Sequence, residues 1–184
     1  MEKKRCEIAV VGAGPAGSTA AKYAAKHGRE VLFIEKKSEI GIPMQCGGFL
    51  PQLHELKLLL PKARSLEELF CYPDFCIDAS TDLLGFVSPS CEEKQFHVDA
   101  NTIDRRRFDK HLAEEAARAG AELLLETLVT DIDLQNSIIK AVEVGDRDHK
   151  FEIEAKVIIG ADGPASKVAR ISGLVKKYDP MDIS

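Results

Sequence analysis

The chain has 184 residues, 45% of them hydrophobic and 30% charged, which fits a folded globular protein with a sizeable core and excludes a disordered one. A formal net charge of −5 argues against a general nucleic-acid binder, and the one dense basic run, Arg105-Arg106-Arg107, lies within an amphipathic helix pattern. No apolar run reads as a signal peptide or a membrane span, so a soluble cytoplasmic protein is expected.

The segment from Ile8 to Lys36 carries the most information. Ile8-Ala9-Val10-Val11 is too short for a helix and rich in branched residues, so it predicts a buried strand. Gly12, Gly14 and Gly17 follow in G-x-G-x-x-G spacing, with Pro15 in a first helical turn where a missing N–H is harmless. Small residues predict a helix over Ala16 to His27, closed by Gly28, and Val31 to Ile34 predicts a second strand that delivers Glu35. In that order the glycines suit a dinucleotide: Gly12 for the tight turn, Gly14 for close approach to a pyrophosphate, Gly17 for helix–strand contact. The phosphates would sit at the helix N-terminus, and Glu35 would accept from the adenosine ribose hydroxyls.

The stretch from Lys36 to Gln45 reads as a loop leading into Cys46-Gly47-Gly48. Two adjacent glycines give backbone that can lie flat against a planar ligand; a glycine turn beside a buried cysteine is the simpler chemical reading. Leucines at helical spacing predict a helix from Leu53 to Leu60, and Ser65-Leu66-Glu67-Glu68 has the form of a capping box. Short β segments are expected at Phe75–Ile77, Leu84–Val87 and Gln95–Val98, in a small sheet outside the nucleotide fold. Asp104 can cap a helix from Arg105 to Ala119. Arg105 stands in its first turn, where either a nearby anionic ligand or Asp104 and Asp109 would balance it. Strands are predicted at Ala121–Leu125 and Leu128–Ile132. A hairpin of Ile138–Val144 with Phe151–Ile153 follows, and then a buried strand, Val157–Ile159. The last runs into Gly160-Ala161-Asp162-Gly163 and a helix from Ala165 to Ile171. Asp162 would accept from a ribityl or ribose hydroxyl, or orient backbone. The five cysteines (Cys6, Cys46, Cys71, Cys76, Cys91) are odd in number and form no C-x-x-C pair, and the histidines show no ligand spacing. Neither a disulfide framework nor a metal site is expected.

Taken together, VVGAGPAGSTAAKYAA, the Glu35-Lys36 pair, PMQCGGFLP, IDRRRFDKHLAEEAARAGAEL and IIGADGPAS resemble the geranylgeranyl reductases, FAD-dependent enzymes with the flavin fold of p-hydroxybenzoate hydroxylase. The resemblance implies an α/β, Rossmann-like FAD-binding domain of the glutathione reductase type, with part of a small β-rich substrate domain over residues 51–100. It implies that Gly12, Gly14 and Gly17 hold the pyrophosphate and that Glu35, with Lys36 beside it, holds the adenosine ribose. By the same likeness Val129 offers its backbone to the adenine and Asp162-Gly163 forms the second fingerprint. Cys46, Gly47 and Gly48 match the segment beside the isoalloxazine, and Arg105 matches an FAD-contacting arginine. Cys46 is also the candidate for tuning the flavin in catalysis.

The activity implied is reduction of carbon–carbon double bonds in an isoprenoid lipid or prenyl diphosphate, hydride going to one alkene carbon and a proton to the other. NAD(P)H or a ferredoxin would supply electrons, and the substrate implies peripheral contact with a membrane. A monooxygenase or halogenase of the same fold, or a non-catalytic nucleotide-binding remnant, are the alternatives. The family's later Gly-Asp motif does not follow Asp162-Gly163, so a truncated FAD-binding domain over 1–184 is expected: a truncated product, a fragment, or one half of a split enzyme whose partner would be a separate C-terminal half. The β patch from Phe75 to Ala100 then lacks sheet partners, and its edges predict poor solubility or association.

Overall fold

The computed structural model describes residues 1–175, which form two compact units: Met1–Ile40 with the chain from Leu112 onward, and Gly41–His111. In the first unit a six-stranded sheet has the order β6-β2-β1-β9-β8-β7, built from β1 (Glu2–Val11), β2 (Val31–Ile34), β6 (Glu122–Leu124), β7 (Thr127–Asp133), β8 (Ile138–Glu143) and β9 (Asp146–Gly160). The four strands β6, β2, β1 and β9 run parallel, while β8 and β7 are antiparallel additions.

Alternation along the parallel strands divides the core between the two faces. Val10, Val31 and Phe33 face one side, where α1 (Pro15–Lys26) contributes Ala21 and Ala25 and α4 (Arg105–Arg118) contributes Ala113 and Ala116. Ala9, Val11, Leu32 and Ile34 face the other, packed with Ile139, Ile153 and Val168. Small residues on α1 let its backbone approach the sheet closely, which is why that helix reads as alanine-rich.

Two predicted strands prove to be longer. The strand at Ile8–Val11 begins at Glu2, because Glu2 to Cys6 pair in register with Phe151 to Ala155. Charged residues at this end are matched across the pair, Lys3 to Glu152 at 3.2 Å and Arg5 to Glu154 at 3.0 Å. Phe151–Ile153 and Val157–Ile159 are not separate strands. They are one 15-residue β9, antiparallel to β8 from Asp146 to Glu154 and parallel to β1 from Phe151 to Gly160.

The second unit holds a three-stranded antiparallel sheet, β3-β5-β4, from β3 (Phe49–Pro51), β4 (Ile77–Val87) and β5 (Glu93–Ile103). The short segments expected here merge into one long hairpin, and Phe75 lies in a 3₁₀ turn before it. Two short helices, α2 (Leu53–Leu59) and α3 (Leu66–Leu69), pack on each other. The capping box at Ser65 does not form: Ser65 adopts a left-handed conformation, φ 60°, and its side chain caps nothing.

Candidate functional site

In the first unit the glycines fall into two kinds. Gly12 has φ +99°, and a Cβ there would stand 2.3 Å from the Ala161 carbonyl oxygen and 2.9 Å from Asp162 Cα. A Cβ on Gly17 would stand 1.8 Å from the Gly12 oxygen. These two glycines are therefore required by the protein itself, since they let the turn after β1, the start of α1 and the turn after β9 meet backbone to backbone. Gly14 is different. Its φ of −71° is open to any residue, and nothing among the described residues lies within 4 Å of its Cβ position. The space beside Gly14 is what a ligand's approach to the backbone requires.

The start of α1 carries no side-chain cap and no acid in its first turn, leaving its positive end and leading N–H groups available to an anion. Beside it, Glu35 accepts the Ala13 N–H on Oε2 at 3.0 Å and the Lys37 N–H on Oε1 at 3.1 Å. A carboxylate has about four acceptor positions, so both oxygens retain capacity for ribose hydroxyls. Buried Ser18 completes the turn by donating to the Ala13 carbonyl at 3.1 Å. Sequence reading passed over Ser18 as one more small residue, and only its burial distinguishes it.

Val129 is brought to the same edge. The segment ahead of it is tied to the one after β2, Thr127 N–H donating to the Glu35 carbonyl at 2.9 Å and Glu126 N–H to that of Lys37 at 3.1 Å. The Val129 side chain is buried in the core, and the β7–β8 register shifts between Val129 and Asp131. Lys36 is exposed on the adjoining segment.

Asp162 is occupied locally. Its Oδ1 accepts from the Ser166 hydroxyl, and its Oδ2 accepts the N–H groups of Lys167 at 2.6 Å and Val168 at 3.2 Å. The carboxylate thus anchors the start of α5 (Lys167–Ile171), where Ser166 also accepts the Ala169 N–H at 2.9 Å. Of the roles expected from sequence, orienting backbone is the one these bonds perform. Gly163 has φ +87°, and nothing among the described residues lies within 4 Å of its Cβ position.

In the second unit Cys46 and Arg105 come together. The Gly48 N–H first, and then the Arg105 side chain, hold the Cys46 thiol below the ordinary thiol range, against burial and the Asp109 charge. Arg105 forks onto Asp109, Nε to Oδ1 at 2.9 Å and Nη2 to Oδ2 at 3.0 Å, so its charge in the first turn of α4 is balanced within the helix. Asp104 caps α4 as expected, accepting the N–H groups of Arg106 and Arg107 at 2.9 and 3.1 Å. The simpler reading of Cys46 as a buried cysteine is corrected, because Cys46 is exposed. The adjacent glycines also differ: Gly48, φ +76°, is forced by the Ile103 carbonyl 2.2 Å from its Cβ position, whereas nothing among the described residues lies within 4 Å of the Gly47 Cβ position.

His54, Glu55 and Asp99 form a small cluster, with Asp99 3.0 Å and Glu55 3.8 Å from His54 Nε2. Asp99 also donates its N–H to Glu55 at 3.2 Å, fastening α2 to β5. Asp99 lies too far along the chain from the adjacent His54 and Glu55 for spacing to reveal the group.

A parallel sheet whose glycine turns meet at the carboxyl ends of adjacent strands defines an α/β domain of the dinucleotide-binding type. A family model described as FAD dependent oxidoreductase matches residues 7–175, and the chain belongs to that family. An uncharacterized protein in the nifH2 5′ region of Methanosarcina barkeri is 49% identical over 168 residues, covering 91% of this chain and 88% of that one. Digeranylgeranylglycerophospholipid reductase 2 of Methanococcoides burtonii is 35% identical over 187 residues. That match takes in 98% of this chain but 43% of the reductase, so the chain spans less than half of the reductase it resembles. Among solved structures, a geranylgeranyl bacteriochlorophyll reductase-like protein from Thermoplasma acidophilum superposes with a TM-score of 0.76 at 30% identity, over 93% of this chain and 42% of that one. Among the described residues no helix is long and apolar enough to cross a membrane.

Proposed function

We propose that this chain is the FAD-binding portion of a reductase that saturates carbon–carbon double bonds of isoprenoid lipid chains. The observation that carries the reading is the meeting of the Gly12, Gly17 and Ala161-Asp162 backbones, with the Gly14 Cβ position left open beside an uncapped helix start. Gly12, Gly14, Gly17 and the α1 N-terminus bind the pyrophosphate, and Glu35, with Lys36 next to it, takes the adenosine ribose. Val129 meets the adenine through its backbone, and Asp162-Gly163 shapes the second turn. The Cys46, Gly47, Gly48 and Arg105 group is assigned to the isoalloxazine by its likeness to the reductases.

The chemistry that FAD supplies when bound is two-electron reduction. What the chain contributes is binding and orientation, with Cys46 held by Arg105 and the Gly48 N–H so that its charge state responds to its surroundings. Relatives named as digeranylgeranylglycerophospholipid reductases support an isoprenoid substrate.

Titration of the purified chain with FAD and with ADP tests the binding. FAD should quench its fluorescence on binding, and ADP should compete because it shares the pyrophosphate and ribose contacts. Affinity for neither would overturn the reading. Gain of a hydrogen pair per double bond in a digeranylgeranyl lipid, assayed by mass spectrometry with chemically reduced flavin and the rest of the reductase fold, tests the substrate.

A further inference from the structure

The second unit gathers an imidazole and two carboxylates at one spot on its surface. His54 Nε2 lies 3.0 Å from Asp99 Oδ2 and 3.8 Å from Glu55 Oε1, and the three donor atoms all lie within 4.8 Å of one another. Backbone bonds hold them there. The Asp99 N–H donates to Glu55 Oε1 at 3.2 Å and the Gln52 N–H to the Asp99 carbonyl at 2.8 Å, so α2 and β5 are already fastened beside the group. Among the described residues no lysine or arginine is ion-paired with Glu55 or Asp99. Two negative charges therefore face one imidazole, which can balance only one of them, and only while it carries a second proton. The His54 and Asp99 side chains are 56% and 49% exposed, which gives an ion a path to all three donors.

We infer that His54, Glu55 and Asp99 bind one divalent transition-metal ion, Zn²⁺ being the fitting case, and that the ion clips α2 to β5. Charge is the first reason. A neutral imidazole, two carboxylates and a dication sum to zero, so the ion relieves a repulsion that the protein's own cations leave in place. Geometry is the second. Bonds of about 2.0–2.1 Å at tetrahedral angles set donor atoms about 3.3 Å apart, and the separations of 3.0 and 3.8 Å from Nε2 bracket that value. Small rotations of exposed side chains complete the set, while the Asp99 N–H keeps the Glu55 carboxylate aimed inward. Ligand type is the third. A ring nitrogen with two carboxylates suits Zn²⁺ and its first-row neighbours, whereas Ca²⁺ and Mg²⁺ call for six or more oxygens. Water fills the coordination that three side chains leave open. The inference stands on this group alone and does not depend on FAD binding or on the isoprenoid substrate.

The test is equilibrium dialysis of the full chain against Zn²⁺, with thiols first blocked by iodoacetamide because Cys46, Cys71 and Cys91 are exposed and would bind the ion themselves. One Zn²⁺ per chain is expected, retained in excess Mg²⁺ or Ca²⁺ and lost on acidification, where protons compete for the ring nitrogen. His54→Ala and Asp99→Asn should each weaken binding at least tenfold, while His27→Ala, at an exposed histidine on α1, should leave it unchanged. Both substituted side chains are half-exposed, so circular dichroism of the variants should match the parent's. Thermal melting gives a second reading, because a bound ion that joins α2 to β5 should raise the parent's melting temperature and leave that of His54→Ala where it was. The inference is overturned if the thiol-blocked chain takes up no Zn²⁺, which would make the group an ion pair only. It is equally overturned if binding survives His54→Ala, if His27→Ala weakens it as much, or if Mg²⁺ displaces the ion. FAD affinity, measured on the same samples, judges the proposed function separately.

Discussion

Glu35 Oε2 accepts the Ala13 N–H at 3.0 Å, which joins the end of β2 to the glycine turn after β1. The acid is therefore part of the turn's own architecture as well as the group proposed for the ribose. A single carboxylate does both because each N–H occupies only one of its acceptor positions.

Glu35→Ala is expected to weaken FAD and ADP binding by roughly 1–3 kcal/mol, the worth of charge-assisted hydrogen bonds. It should also lower the melting temperature, since the Ala13 and Lys37 N–H groups lose their acceptor. Calorimetric titration and a thermal melt measure the two effects; unaltered affinity for both ligands refutes the ribose role.

The glycines should separate into fold and ligand positions. Gly17→Ala drives a Cβ into the Gly12 carbonyl and Gly12→Ala drives one into Ala161, so each should cost about 1–3 kcal/mol of stability or more. Gly14→Ala should leave the urea midpoint close to the parent's while weakening FAD at least tenfold. A Gly14→Ala variant that binds FAD as tightly as the parent would show that no ligand approaches there.

Asp162→Ala removes the acceptor for two N–H groups and the Ser166 hydroxyl at the start of α5. A loss of about 1–2 kcal/mol is expected in denaturant unfolding, as for other helix-cap deletions. Asp162→Asn, which keeps one acceptor oxygen, should recover part of it. If stability is untouched and only FAD affinity falls, Asp162 serves the ligand and its bonds to α5 are incidental.

Cys46 should alkylate at lower pH than an unperturbed thiol, because the Gly48 N–H and Arg105 favour its thiolate. Arg105→Ala removes one of those two influences, so the midpoint of the rate–pH profile should move upward while remaining below an ordinary thiol's. Cys6, whose thiol is pushed up to about 11 chiefly by burial, stays protonated across the same range and should label last. Peptide-resolved mass spectrometry reads each site, and an Arg105→Ala profile that overlays the parent's would remove Arg105 from the account.

Much of this molecule is local in origin. The Ile8–Lys36 unit was legible because each part has a short-range cause: branched residues for the strands, Pro15 at the helix start, Gly28 at its end with φ +72°, and glycine spacing for the turn. The Asp104 cap is likewise written in adjacent residues. What tertiary structure alone decided are the relations between distant segments. The charged start of β1 became a strand because β9 lies beside it, with Glu152 and Glu154 opposite its lysine and arginine. Gly12 is obligatory because the distant Ala161-Asp162 backbone packs against it, and Gly17 because a Cβ there would enter the Gly12 carbonyl, while the Gly14 Cβ position is open among the described residues, a distinction identical letters cannot express. Cys46 meets Arg105 for the same reason: burial and close approach depend on which segments end up adjacent, and pattern reports only what each segment could do alone.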